Sequence, residues 1–141
     1  MKTSARNALA GTVAHVTHGA VNAEVVLDIG AGQAIVAILT RESVGALGLA
    51  QGKTAIALIK ASFVILAPGS EPPRTSARNA LQGKIVRIED GAVNSEVGLA
   101  LGGGKTITAI ITRESVTALD LAVGQPCTAL IKASHVILVV E

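Results

Sequence analysis

The chain repeats itself. Residues Thr3 to Ala67 align with Thr75 to Val139 at a constant offset of 72, without a gap, and about 39 of the 65 aligned positions are identical. The best-matched blocks are Thr3–Leu9 with Thr75–Leu81, Gly19–Asn22 with Gly91–Asn94, Thr40–Val44 with Thr112–Val116, and Ala57–Ser62 with Ala129–Ser134. A duplication of this kind constrains the fold more than composition does, because whatever one copy forms the other must form too. The expected organisation is a first unit over 1–67, a linker over 68–74 and a second unit over 75–141. The linker carries Pro68-Gly69 and Pro72-Pro73, which break regular structure and stiffen an extended connection. A unit of under 70 residues without disulfides buries proportionally little surface alone, so the copies are expected to pack together or chains to associate.

Each unit reads mostly as strand. Gly11–Val16 and Gly83–Ile88 are rich in β-branched residues and alternate. Glu24–Ile29 follows, then a glycine turn (Gly30-Ala31-Gly32, or Gly102-Gly103-Gly104), then Ala34–Leu39. A short helix is expected over Arg41–Leu47 with Thr40 as its N-cap, and again from Thr112. The last strand is expected from Thr54 to Lys60, continuing into Val64-Ile65-Leu66. Five strands and one short helix per unit fit a mainly β chain built as two tandem small barrels. Gly102-Gly103-Gly104-Lys105 lacks the spacing and the following Ser of a phosphate-binding loop, and its counterpart has Gln33 in place of the Lys, so it reads as a hairpin turn.

Composition narrows the function. The formal net charge is +2 and aromatic residues make up 1% of the chain, with no Trp or Tyr and a single Phe, Phe63. Nucleic-acid binding by stacking on aromatic platforms in a basic groove is therefore disfavoured. Hydrophobic residues make up 50%, yet the longest uncharged run, Asn7 to Ala23, is interrupted by Asn, Thr, His and Gly. No transmembrane helix is expected. Thr3–Leu9 recurs in mid-chain, which argues against a cleaved leader. The lone Cys127 cannot form an internal disulfide and reads as a small buried residue in a reduced, cytoplasmic protein.

Three polar clusters are duplicated intact. Ser4-Ala5-Arg6-Asn7 returns as Ser76-Ala77-Arg78-Asn79, and in extended chain the Ser and Arg share a face. Thr40-Arg41-Glu42-Ser43 returns as Thr112-Arg113-Glu114-Ser115, where two hydroxyls three apart meet at a helix start. Lys60-Ala61-Ser62 returns as Lys132-Ala133-Ser134. Together these offer cations and hydroxyl donors, and with Glu42 and Glu114 turned outward they offer no carboxylate. That suits a fully deprotonated tetrahedral oxyanion such as sulfate or molybdate, whereas phosphate near neutral pH often keeps a proton that wants an acceptor. The structural alternatives are capping by Thr40 and Thr112, and solvated edges at the other two clusters. His15, His18 and His135 are not duplicated and form no metal-ligand set. No Ser–His–Asp pattern or carboxylate pair is present, so no catalytic residues and no cofactor are expected.

The ordered motifs Thr-Ser-Ala-Arg-Asn, Gly-Ala-Val-Asn-(Ala/Ser)-Glu-Val, Thr-Arg-Glu-Ser-Val and Leu-Ile-Lys-Ala-Ser, each present twice, resemble the Mop domain of the molbindins. The resemblance covers nearly the whole chain. It implies two OB-like five-stranded β-barrels, cytoplasmic molybdate binding for storage or homeostasis, tungstate as a substitute ligand, and oligomers in which anions sit between units. It carries one class of site to Ser4, Ala5, Arg6, Thr40, Ser43, Lys60, Ala61 and Ser62, with Ser76, Ala77, Arg78, Thr112, Ser115, Lys132, Ala133 and Ser134 in the second unit. A weaker second class falls on Val21-Asn22 and Val93-Asn94. A homotrimer, giving a pseudo-sixfold set of units, is the expected assembly. No membrane and no nucleic acid are expected as partners.

Two other readings stand beside this one: an OB-type nucleic-acid-binding module, and a molybdate-responsive interaction module. The second would act on a separate protein, for example an enzyme of molybdenum-cofactor biosynthesis, because no helix-turn-helix or ATPase loop is present.

Overall fold

The structure, a computed structural model, describes all 141 residues. The first copy forms β1 (Asn7–His18), β2 (Asn22–Gly30), β3 (Gln33–Thr40), the helix α1 (Arg41–Leu47), β4 (Thr54–Ile59) and β5 (Ile65–Pro68). The second forms β6 (Asn79–Asp90), β7 (Asn94–Gly102), β8 (Lys105–Thr112), α2 (Arg113–Ala118), β9 (Pro126–Ile131) and β10 (Ile137–Val139). The mainly β expectation, with five strands and one short helix per copy, holds. The glycine clusters are the hairpin turns β2–β3 and β7–β8, with Gly30, Gly32, Gly102, Gly103 and Gly104 all at positive φ, where the absence of a Cβ removes the steric penalty.

The expected last strand is where the structure departs from the sequence reading. It does not continue from Lys60 into Val64–Leu66. A 3-10 turn at Ala61–Phe63 interrupts it, closed by Phe63 N–H to Lys60 carbonyl at 2.9 Å and Val64 N–H to Ala61 carbonyl at 3.3 Å. The turn redirects the chain, and β5 leaves the sheet of its own copy. The sheet orders are β10-β4-β1-β2-β3 and β5-β9-β6-β7-β8. Each copy thus completes the other's sheet with its fifth strand: Ile137 opposes Leu58, and Ile65 opposes Leu130. Because Gly69 N–H continues this second sheet by donating to the Pro126 carbonyl at 2.9 Å, units drawn along the sequence and units drawn in space do not coincide.

The two curled sheets enclose one continuous core of 28 buried residues. Its centre consists of pseudo-equivalent pairs, Leu27 with Leu99, Ile35 with Ile107 and Ile59 with Ile131, all 0–1% exposed. The core is almost free of aromatics, so close packing rests on branched aliphatics on alternating strand positions. Cys127 lies in it, 1% exposed, and burial pushes its thiol above the ordinary value. No helix is long and apolar enough to cross a membrane.

Candidate functional site

The Ser-Ala-Arg-Asn motifs lead into β1 and β6, and they build the seam between the two sheets. They are not extended. Thr3 Oγ1 accepts from Ala5 N–H at 3.2 Å and Thr75 Oγ1 from Ala77 N–H at 3.0 Å, so each motif begins in a hydroxyl-closed turn. The terminal Asn of each is buried, Asn7 3% and Asn79 1% exposed. Asn7 Nδ2 donates to the Thr108 carbonyl at 2.8 Å and its Oδ1 accepts from Thr108 N–H at 2.7 Å. Asn79 makes the same pair of bonds with Val36. Each carboxamide acts as one peptide unit of an added strand, satisfying the outer edge of β8 or β3.

The arginines of these motifs cross the same seam. Arg78 holds Glu24 with two bonds of 2.7 and 2.9 Å. Arg6 holds Glu96 at 2.5 Å, and Arg87 takes the other oxygen of Glu96, also at 2.5 Å. Hydrogen bonding and charge from Arg78 hold Glu24 below its ordinary value of 4.5, and those from Arg6 and Arg87 do so for Glu96. The expectation of a cluster without carboxylates therefore fails at Arg6 and Arg78: each guanidinium is already paired with an anion of the other copy. A third pair of bridges is chemically unequal. Gln33 donates to the Gln82 and Leu101 carbonyls at 2.8 and 2.9 Å and accepts from Gln82 N–H at 3.0 Å, whereas its counterpart Lys105 donates to the Ala10 carbonyl at 2.8 Å.

The third cluster lies in the 3-10 turns. Lys60 and Lys132 are the last extended residues, Ala61 and Ala133 are buried at 2% exposure, and Ser62 and Ser134 are exposed. Because the chain turns here, Lys60 and Ser62 do not lie on one strand face. Lys60 instead joins Thr3, Ser4 and Ala5 around a cavity of about 300 Å³, whose far wall is Phe63 and His135. Those two occupy equivalent positions of the copies and stack on each other, centroids 4.3 Å apart and 30° between planes. The Lys60 ammonium lies 5.4 Å from the Phe63 centroid, within cation–π range. No carboxylate lines this cavity.

The helix-start cluster is elsewhere. Thr40 caps α1, as expected, accepting from Ser43 N–H at 3.1 Å while donating to Ser43 Oγ at 2.9 Å. Thr112 and Ser115 repeat this at 3.1 and 2.8 Å. Glu42 and Glu114 are exposed. Arg41 N–H donates to the Val21 carbonyl, and Arg113 N–H to the Val93 carbonyl, both at 2.9 Å. This draws the Val21-Asn22 and Val93-Asn94 turns against the helix starts, with Val21 and Val93 projecting at 72% and 71% exposure. The Ser4–Lys60 cavity includes none of Arg6, Thr40, Ser43 and Ser62. No three His, Cys, Asp or Glu side chains converge as a cation site.

Sequence reasoning missed the seam roles of Asn7, Asn79, Glu24 and Glu96, although all four stand in duplicated motifs. It also passed over Phe63 and His135, because they differ between the copies.

Both copies, residues 3–66 and 75–138, match the family model described as the TOBE domain. The molybdate-bound crystal structure of the cytoplasmic molybdate-binding protein ModG superposes with a TM-score of 0.95, at 50% identity, over 100% of both chains. The molybdenum-pterin-binding proteins MopA and MopB of Rhodobacter capsulatus are 54% and 48% identical over 138 residues, 98% of this chain and 52% and 51% of theirs. The chain spans about half the length of these curated relatives. With the model matched twice and the ModG fold matched from end to end, the chain belongs to the TOBE-domain family, as a tandem pair of domains.

Proposed function

We propose that this chain is a non-enzymatic cytoplasmic binding protein for molybdate, with tungstate as an alternative ligand, serving molybdenum storage or homeostasis. The observation that carries the reading is the cavity beside Lys60. It gathers an ammonium and the hydroxyls of Thr3 and Ser4 with no carboxylate among its lining residues, the donor set a fully deprotonated dianion needs. The likeness to ModG along the whole chain, and to MopA over its matched half, supports the same ligand class.

Thr40, Ser43, Thr112 and Ser115 lie apart from that cavity, and the Arg6 and Arg78 charges are spent on glutamates. Complete sites then draw donors from more than one unit, with Ser4, Lys60 and Ser62 facing the helix-start hydroxyls of a neighbouring chain. The Val21-Asn22 and Val93-Asn94 turns form a second class of contact on a symmetry axis. A homotrimer supplies both. Base stacking has little support, since Phe63, the one ring available for it, is stacked on His135.

Equilibrium dialysis against micromolar molybdate with metal analysis tests the reading, alongside native mass spectrometry to count chains and anions together. Retention of molybdate over phosphate by an oligomer is expected. No retention, or equal retention of phosphate, overturns the function. A monomer with undiminished binding overturns the inter-chain site.

A further inference from the structure

The cavity beside Lys60 contains one group that its duplicated motifs do not account for. His135 stands where the first copy has Phe63, and the two rings stack on each other. The His135 imidazole makes no hydrogen bond. Its Nδ1 is buried without a partner, and the ring lines the cavity. A ring packed on an aromatic face with one polar atom unsatisfied is held in place and lacks a hydrogen-bond partner.

The cavity lining contains no carboxylate to pair with a protonated ring. Lys60 is the one charged residue that lines the cavity with it, and the backbone carbonyl of Lys132 accepts the His135 backbone N–H at 2.9 Å. β3, against which the His135 turn packs, spans Gln33–Thr40 and has no ionisable side chain. Nor have β5, β10 or the Thr3–Ala5 segment. An imidazolium here would face the Lys60 ammonium and no carboxylate among the lining residues, unless an anion occupies the cavity.

We propose that His135 is an oxyanion ligand of the Lys60 cavity and that anion binding there takes up a proton on its imidazole. This rests on the oxyanion-binding reading above and adds a ligand to it. The dianion supplies the missing counter-charge, and the imidazolium adds a charge-assisted N–H donor to those of Lys60 and Ser4. Histidine is the ordinary side chain whose charge changes between about pH 5 and 8. Affinity therefore rises as pH falls through that range. Because the first copy places Phe63 at the equivalent position, the proton is taken up once per chain.

The test is calorimetric titration of the full chain with sodium molybdate at micromolar concentration, at pH 6 and pH 8, in buffers of different ionisation heat. Binding about fivefold tighter at pH 6, with net proton uptake, is the order expected for one coupled histidine. In His135→Gln, which keeps a neutral N–H donor, and in His135→Phe, which copies the residue of the first unit, the pH difference and the proton uptake both disappear. His15→Gln and His18→Gln keep both. Proton uptake that survives in the His135 variants, or that vanishes in the His15 or His18 variants, overturns the proposal. Molybdate retention without proton uptake overturns it alone, and absence of retention at both pH values overturns the function with it.

Discussion

The carboxamide of Asn79 closes a two-bond ring with the backbone of Val36. Its Oδ1 accepts from the Val36 N–H at 2.7 Å and its Nδ2 donates to the Val36 carbonyl at 2.8 Å. Asn79 is 1% exposed, so the side-chain end of both bonds is shielded from solvent. Asn79→Ala is expected to lower stability by about 2–3 kcal/mol, because two partly buried backbone groups lose their partner. Asn79→Asp is expected to cost at least as much, since it sets a carboxylate oxygen against the Val36 carbonyl. Urea denaturation midpoints check both, and Ala8→Ser on the exposed neighbour of Asn7 should stay within about 0.5 kcal/mol.

Glu24 and Glu96 set the acid limit of the same seam. Both are held below the ordinary value of 4.5, Glu24 by Arg78 and Glu96 by Arg6 and Arg87. A carboxylate with a depressed folded value binds fewer protons folded than unfolded. Its contribution is complete above about 4.5 and is lost as pH falls through the folded value. The urea midpoint is therefore expected to fall from pH 5 towards pH 3, and Glu96→Gln should flatten part of that slope. The effect is modest, because Arg6 and Arg78 are half exposed to solvent. A midpoint independent of pH over this interval would falsify the assignment.

Much of this was legible in the sequence because it is local. Thr40 three residues before Ser43 specifies a cap whatever surrounds it, and Gly30–Gly32 specifies a tight turn. Exchange of the fifth strands was not legible. Ile65 and Ile137 stand in nearly identical segments, and β4 and β9 offer them nearly identical edges, so local pattern cannot choose between pairing within a copy and pairing across. The turn at Ala61–Phe63 decides it, through two backbone hydrogen bonds that no side chain announces. Arg6 was legible as a conspicuous cation but not as an ion-paired one, because Glu96 lies 90 residues away on β7 of the other sheet.

Two glycines in regular elements should respond to a methyl group with opposite sign. At Gly83 a Cβ would lie 2.6 Å from the Ala100 carbonyl oxygen, and Gly11 is crowded in the same way by the Asp28 carbonyl. Both obstacles are backbone on the paired strand and cannot turn aside, so Gly83→Ala is expected to destabilise by about 1–3 kcal/mol. Gly45 lies inside α1 with open space around its missing Cβ. Gly45→Ala is expected to stabilise by about 0.5–1 kcal/mol through helix propensity and a less flexible unfolded chain. Thermal and urea unfolding of the two variants side by side check the sign.

Strand exchange makes a sharper demand, because damage at one end of the sequence should appear in the other copy. β10 pairs only with β4, through Ile137 opposite Leu58, Leu138 opposite Ala57 and Val139 opposite Ile56. Deleting residues 137–141 removes the fifth strand of the sheet formed by the first copy and uncovers that edge. It leaves β9 bracketed by β5 and β6 as before. Leu138 is 6% exposed and belongs to the shared core, so the loss is apolar as well as hydrogen-bonded. Hydrogen exchange followed by mass spectrometry should then show protection falling in peptides covering 54–60, more than seventy residues from the cut. Peptides covering 126–131, adjacent to it in sequence, should keep theirs. If the fifth strands paired within their own copies, the order would reverse, since β9 would lose its neighbour and β4 would not. An intermediate deletion of Glu141 alone should change neither set of peptides, because its contact with the Met1 amino group at 3.4 Å is a solvent-exposed ion pair outside the ladder.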